Sequence, residues 1–112
     1  MGGLSNLEYH VLLALASGQL HGYAIKDAVA GESAGTLTPP AGSLYRVLAR
    51  LMTGGLVVEE GPATEPSPHP GLARRYYALS TAGRRALAAE ARRLRGAAAL
   101  AEERLHLAPG RS

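Results

Sequence analysis

The C-terminal third of the chain is the part that most restricts the fold. From Ser80, a suitable N-cap, "TAGRRALAAEARRLRGAAALAEERLHL" predicts a helix of about 26 residues, roughly 40 Å long at about 1.5 Å per residue. Leu87, Leu94 and Ala101 lie seven apart, and Ala91, Ala98 and Leu105 lie four beyond each. That is an a/d seam sustained over three heptads. The alanines at half the seam let two helices approach closely. A helix of this length overhangs a domain of about eighty residues, so a second copy of the chain is its natural partner. Folding back on its own domain is the alternative. Gly96 weakens the helix by about 1 kcal/mol relative to Ala, and allows a bend or close packing.

The rest of the chain must therefore supply a core. Its 112 residues fit one domain with a modest core, which dimerisation would help to stabilise. With 46% hydrophobic and 19% charged residues the composition is that of a globular chain. No Cys is present, which excludes disulfides and thiolate metal sites and suits a reducing cytoplasm. The opening "MGGLSNLEYH" lacks a basic start followed by an apolar run, so no signal peptide is expected. No apolar run approaches the length of a membrane span, so no membrane partner is expected.

Ser5 and Glu8 form a capping box, each side chain able to satisfy a backbone N–H at a helix start. Leu7, Val11, Ala14 and Leu15 then recur at helical spacing, predicting a helix over 6–17 that stops at Gly18. Tyr23, Ala24, Ile25, Ala28 and Val29 give a second short helix ending at Gly31. "GTLTPP" is a loop in which Thr38 is placed to cap a third helix starting at Pro39. That helix has the cleanest stripe in the chain: Leu44, Val47, Leu48, Leu51 and Met52 at i, i+3, i+4, i+7 and i+8. Gly54-Gly55 supplies a left-handed stop. Three short helices with tight connections argue for a helix-turn-helix. "LVVEE" (56–60) and "RYYALS" (75–80) read as two strands around "GPATEPSPHPGLA", a loop with four of the seven prolines. The predicted fold is mainly α with a small two-stranded β-wing. Residues 1–79 form the winged helix-turn-helix, 80–107 the dimerisation helix and 108–112 a flexible tail.

Charge is distributed unevenly. The net charge is +3, but residues 1–40 carry one Lys against three acids, whereas 41–112 carry eleven Arg against six Glu. Arg forks suit phosphate and guanine, so a nucleic acid or another acidic partner is nominated. A simple bias toward Ala, Gly and Arg explains Arg abundance equally well.

Three collinear stretches resemble the PadR-type transcriptional regulators. "LEYHVLLALASGQLHGYAIKDAV" (7–29), with His21, Gly22, Tyr23 and Ile25, is similar to that family's first two helices. "GSLYRVLARLMTGGLV" (42–57) resembles its recognition-helix motif. "RRYYALSTAG" (74–83) resembles its second wing strand and the start of its last helix. The single C-terminal helix is similar to the short subgroup of the family. Pro40-Ala41 stands where the family commonly has Ser-Pro, and the loop 61–73 is long for a wing. The resemblance implies a homodimeric winged-helix repressor, often released from DNA by a small ligand or a stress signal. A dimer-interface Trp stacks on planar drugs in some members, and this chain has no Trp.

With the leucines inward, the third helix displays Gly42, Ser43, Tyr45, Arg46, Ala49 and Arg50. A recognition helix inserts its N-terminal half into the major groove. Arg46 is expected at a guanine edge, discriminating by roughly 1–3 kcal/mol. Ser43 suits a phosphate near the helix start, and Gly42 and Ala49 keep the face slim. Tyr45 either meets a phosphate or a thymine methyl, or packs beneath the wing. Arg50 is expected at the DNA backbone. Tyr23 and Lys26 on the second helix are assigned to phosphates, with a core role the alternative for Tyr23. Thr38 is placed among the DNA-contacting residues, and Arg74 and Arg75 are wing contacts to the minor groove or nearby phosphates. The remaining Arg on the last helix read as its solvated face.

Enzyme chemistry finds no support. His10, His21, His69 and His106 lack metal-ligand spacing, no Gly-rich phosphate loop follows a strand, and Glu59 and Glu60 point to opposite faces of a strand. No metal or cofactor is expected. Two rival readings stand beside DNA binding. One is a sensor whose small-molecule effector, phenolic or planar, sits among Tyr9, Leu13 and the Ala-rich seam. The other is a winged helix that binds an acidic protein.

Overall fold

The computed structural model describes residues 3–62 and 75–107. Helix α1 spans Asn6–Ala14 and tightens into a 3-10 turn over Leu15–Ser17. A short strand β1, Leu20–His21, leads into α2, Gly22–Glu32. Helix α3 spans Ala41–Thr53, strands β2 and β3 span Val57–Pro62 and Arg75–Leu79, and α4 spans Thr81–Arg104.

The capping box forms as the sequence requires. Glu8 N–H donates to Ser5 Oγ at 3.1 Å, and Ser5 N–H donates to Glu8 Oε1 at 2.8 Å. Ser80 caps α4, its Oγ accepting from Gly83 N–H at 2.9 Å. Gly55 takes the left-handed conformation after α3, with φ of 78°.

Two helix boundaries and the strand count differ from expectation. Helix α2 runs through Gly31 to Glu32, and the left-handed residues that close it are Ala34 and Gly35. Thr38 does not cap α3. The N-cap is Pro40, extended at φ −60° and ψ 154°, with no side-chain cap bond. The residue before a proline is kept out of the α region, so Pro39, which precedes Pro40, cannot begin the helix. The sheet has three strands, not two, in the order β1-β3-β2. β1 pairs antiparallel with β3 at Leu20↔Tyr77 and His21↔Tyr76. β2 pairs with the other edge of β3 from Val57↔Leu79 to Pro62↔Arg75, with an irregularity between Glu60 and Pro62. Two residues with no alternating pattern of their own become a strand only because β3 offers them a free edge.

The core joins the three short helices to the sheet. Val11, Leu12, Leu15, Ile25, Val29, Leu44, Leu48, Leu51, Val57, Tyr77 and Leu79 are buried. Of the predicted α3 stripe, Leu44, Val47, Leu48 and Leu51 are buried and Met52 packs against them from the edge. At about 25 cal/mol per Å2 of apolar surface, each buried Leu contributes roughly 1.5–3 kcal/mol.

Helix α4 is fixed at its root, covered in part as far as Ala91, and exposed from Arg92 to Ala101. Leu56 O accepts from Ser80 N–H at 3.1 Å, and Ser80 Oγ donates to Gly55 O at 2.6 Å. Gly83 lies so close to the Leu56 carbonyl that a Cβ there would overlap it. Ala86 and Leu87 pack on the core, and Ala91 is half-buried. Leu94, Ala98, Ala101 and Leu105 are exposed, Leu105 by 65%.

Candidate nucleic-acid interface

The outward face of α3 is built by exclusion. Once Leu44, Val47, Leu48 and Leu51 are buried, helical geometry turns Gly42, Tyr45, Arg46, Ala49 and Arg50 outward, all exposed, with Ser43 half-buried beside them. Arg46 and Ser43 are one turn apart and already joined: Arg46 Nη2 donates to Ser43 Oγ at 3.2 Å. The guanidinium is therefore drawn toward the helix start, next to Gly42, which adds no side chain of its own. Arg50 is held differently. Its Nε donates to Glu8 Oε2 on α1 at 3.1 Å.

Tyr45 reaches back toward α2. Its hydroxyl end rests against the backbone of buried Gly22, where a Cβ would overlap it, while the residue as a whole stays 47% exposed. Tyr45 is also close enough to raise the pKa of Tyr77, whose phenol is pushed above its ordinary value first by burial and then by Tyr45 and Glu59, with Arg75 opposing. The residue thus joins α3 to the start of α2.

The "HGY" stretch divides its labour. His21 Nδ1 accepts the Ala24 N–H at 3.3 Å, capping α2, and its ring stands edge-on to Tyr76 with centroids 5.7 Å apart. Gly22 leaves room for Tyr45. Tyr23 is 71% exposed, and Lys26, one turn on, is half-buried. Thr38 is exposed in the loop before α3. On the wing, Arg75 pairs with Glu59 of the neighbouring strand, which holds the guanidinium more firmly protonated and offsets its charge. Arg74, the loop after Pro62 and His69 within it lie outside the described residues, as does the tail 108–112.

Three structural roles are not readable from the sequence: the close approaches at Gly22 and Gly83, which have no side chain to signal them, and the bond of the second Glu8 oxygen to Arg50. Only the tertiary approach of α3 to α1 and α2, and of α4 to the α3–β2 junction, shows their roles. Among the described residues no cluster of His, Asp and Glu is arranged to hold a metal ion, and no helix is long and apolar enough to cross a membrane.

A tri-helical unit with an amphipathic third helix, closed by a small antiparallel sheet, defines a winged helix-turn-helix protein. The model of the Transcriptional regulator PadR-like family matches residues 11–89, most of the chain, and the chain belongs to that family of transcriptional regulators. It is similar to an uncharacterised 37.1 kDa transposon protein of Streptomyces fradiae, 44% identical over 81 residues, a match covering 72% of this chain and 21% of that protein. The chain therefore spans about a fifth of the length of that curated relative. Its fold is shared with a PadR family transcription regulator of Clostridium difficile, at TM-score 0.73 and 21% identity, covering 90% of this chain and 99% of that one. It is shared also with Bacillus subtilis PadR in complex with operator DNA, at TM-score 0.63 and 23% identity, covering 74% of this chain and 45% of that one.

Proposed function

We propose that this chain is a cytoplasmic repressor that binds double-stranded DNA sequence-specifically as a homodimer. The observation that carries the reading is the exposed face of α3, where Arg46 and Ser43 sit together at the helix start on an otherwise slim surface. The family supports it, as does the shared fold with a protein seen on operator DNA. In this reading α3 enters the major groove. Arg46 reads a guanine edge, and Ser43 and the free N–H groups of the first turn of α3 meet a phosphate. Tyr23, Lys26, Thr38, Arg50 and Arg75 border the DNA backbone. Residues 1–79 are the reading head and 80–107 the dimer helix, whose exposed Leu94, Ala98, Ala101 and Leu105 continue the seam begun by Leu87 and Ala91. Two-fold symmetry then demands a pseudo-palindromic operator with half-sites about one helical turn apart.

The test is binding to an operator selected from a random DNA pool, titrated by fluorescence anisotropy over a salt series. Log affinity should fall against log salt with a slope near −0.9 per phosphate contact. Arg46→Ala should lower the preference for operator over scrambled duplex by about 1–3 kcal/mol. Equal affinity for every sequence, or a flat salt response, would overturn the reading.

A further inference from the structure

Glu8 belongs to α1, far in sequence from the reading helix, yet it is the direct partner of Arg50. Its two carboxylate oxygens do different work. Oε1 accepts the Ser5 N–H and closes the capping box, and Oε2 accepts Arg50 Nε. The carboxylate is mostly covered, with 17% of its side chain exposed, whereas 62% of the Arg50 side chain is exposed. The terminal nitrogens of Arg50 make no other hydrogen bond among the described residues. A guanidinium carries five N–H donors in a fixed fork, so the bond to Glu8 leaves four of them for another acceptor.

We propose that Glu8 is a specificity-determining residue for DNA, acting through Arg50. This rests on the DNA-binding reading above. The physical reason is the difference between attraction at a distance and bonding at contact. Seen from beyond a Debye length of about 8 Å, the Glu8–Arg50 pair has no net charge. It adds nothing to the counterion release that drives binding to any DNA. At contact, the fork of Arg50 still donates to a phosphate, and does so from a fixed direction. Holding it there removes side-chain entropy that an untethered arginine would lose on docking. Non-specific complexes gain nothing from that order, because no phosphate sits in a defined place. Glu8 therefore weakens loose binding while preserving the docked contact.

Glutamine at position 8 separates the two oxygens. It still completes a capping box, but its amide nitrogen cannot accept from Arg50. Anisotropy titrations on selected operator and on scrambled duplex of equal length should compare the unaltered protein with Glu8→Gln, Arg50→Ala and the double variant. For scrambled duplex, Glu8→Gln should steepen the salt slope by about 0.9 and tighten binding about five-fold at about 0.1 M salt. The operator should gain less, so that the preference for it narrows several-fold, and Arg50→Ala should abolish this effect of position 8. A uniform change on both duplexes, or a narrowing that persists without Arg50, would overturn the proposal. Arg50→Lys leaves the cap untouched and tests the same point from the other side. A lysine ammonium engages Glu8 or a phosphate as a point charge, so operator preference should also fall, and an unchanged preference would count against the proposal. If the unaltered protein binds both duplexes equally while Arg50→Ala weakens neither, the DNA reading itself fails, and this inference with it.

Discussion

Glu8 shows how one side chain links folding to acidity. Its carboxyl lies below the ordinary value of 4.5, chiefly because it accepts the Ser5 N–H, with burial opposing and Arg50 assisting. A depressed carboxylate stabilises the fold above its unfolded pKa, and that contribution is lost as pH falls through the folded value. Glu8→Gln cannot titrate. The thermal midpoint of the unaltered protein should therefore decline more steeply than that of Glu8→Gln below about pH 5. Above that pH the gap between them should be constant, and parallel midpoint curves throughout would contradict the assignment. Glu90 on α4, bonded at 3.0 Å to Arg93 and held below its ordinary value by that bond, adds acid sensitivity of the same sign in both proteins.

Elements were legible where their pattern is local. The α3 stripe, the capping box, the Ser80 cap and the long last helix all follow from spacing within a few turns, and the structure places them as the spacing requires. β1 was not legible, because its two residues are strand only by pairing with β3. Nor was the start of α3, where a promising Thr38 cap loses to the constraint that Pro40 places on Pro39. The outward arc of α3 was legible as a set of residues, but not what holds them. Ser43 for Arg46, Glu8 for Arg50 and Gly22 for Tyr45 are choices made by tertiary packing. The two glycines of α4 give a paired test. Gly83→Ala sets a methyl against the backbone oxygen of Leu56, which cannot swing aside, so it should destabilise by about 3 kcal/mol or more. Gly96 faces open space and lies off the seam, so Gly96→Ala should stabilise by about 1 kcal/mol. Denaturant midpoints would check both, and a tolerated Gly83→Ala would show that the α3–β2 junction yields.

At the scale of the whole molecule, the chain measures 56 × 27 × 22 Å, elongated because α4 runs past the core it starts from. The first seam residues, Leu87 and Ala91, are covered in part by their own domain, whereas Leu94 to Leu105 are not. That division predicts what a charge in the seam should do. Leu94→Glu should leave the winged domain folded, since Leu94 takes no part in its core. It should lower the mass found by sedimentation from twice 11.6 kDa to that of one chain, and weaken operator binding through loss of the second half-site. A Leu94→Glu protein still sedimenting as two chains would place the dimer contact elsewhere.

The root of α4 has a mechanical meaning. Ser80 and Gly83 clamp the helix to the turn that ends α3, so the joint between the two helices leaves little room for one to shift without the other. An arm of 24 residues at about 1.5 Å rise is about 36 Å long, and a tilt of about 5° at the joint carries its far end about 3 Å. In the dimer proposed above, the exposed stretch of the seam from Leu94 to Leu105 would be the joined end, and the winged domains would be what swings. In that dimer, anything that wedged the two arms apart by a few degrees would change the spacing of the paired α3 helices by a similar distance, close to the rise of one base pair.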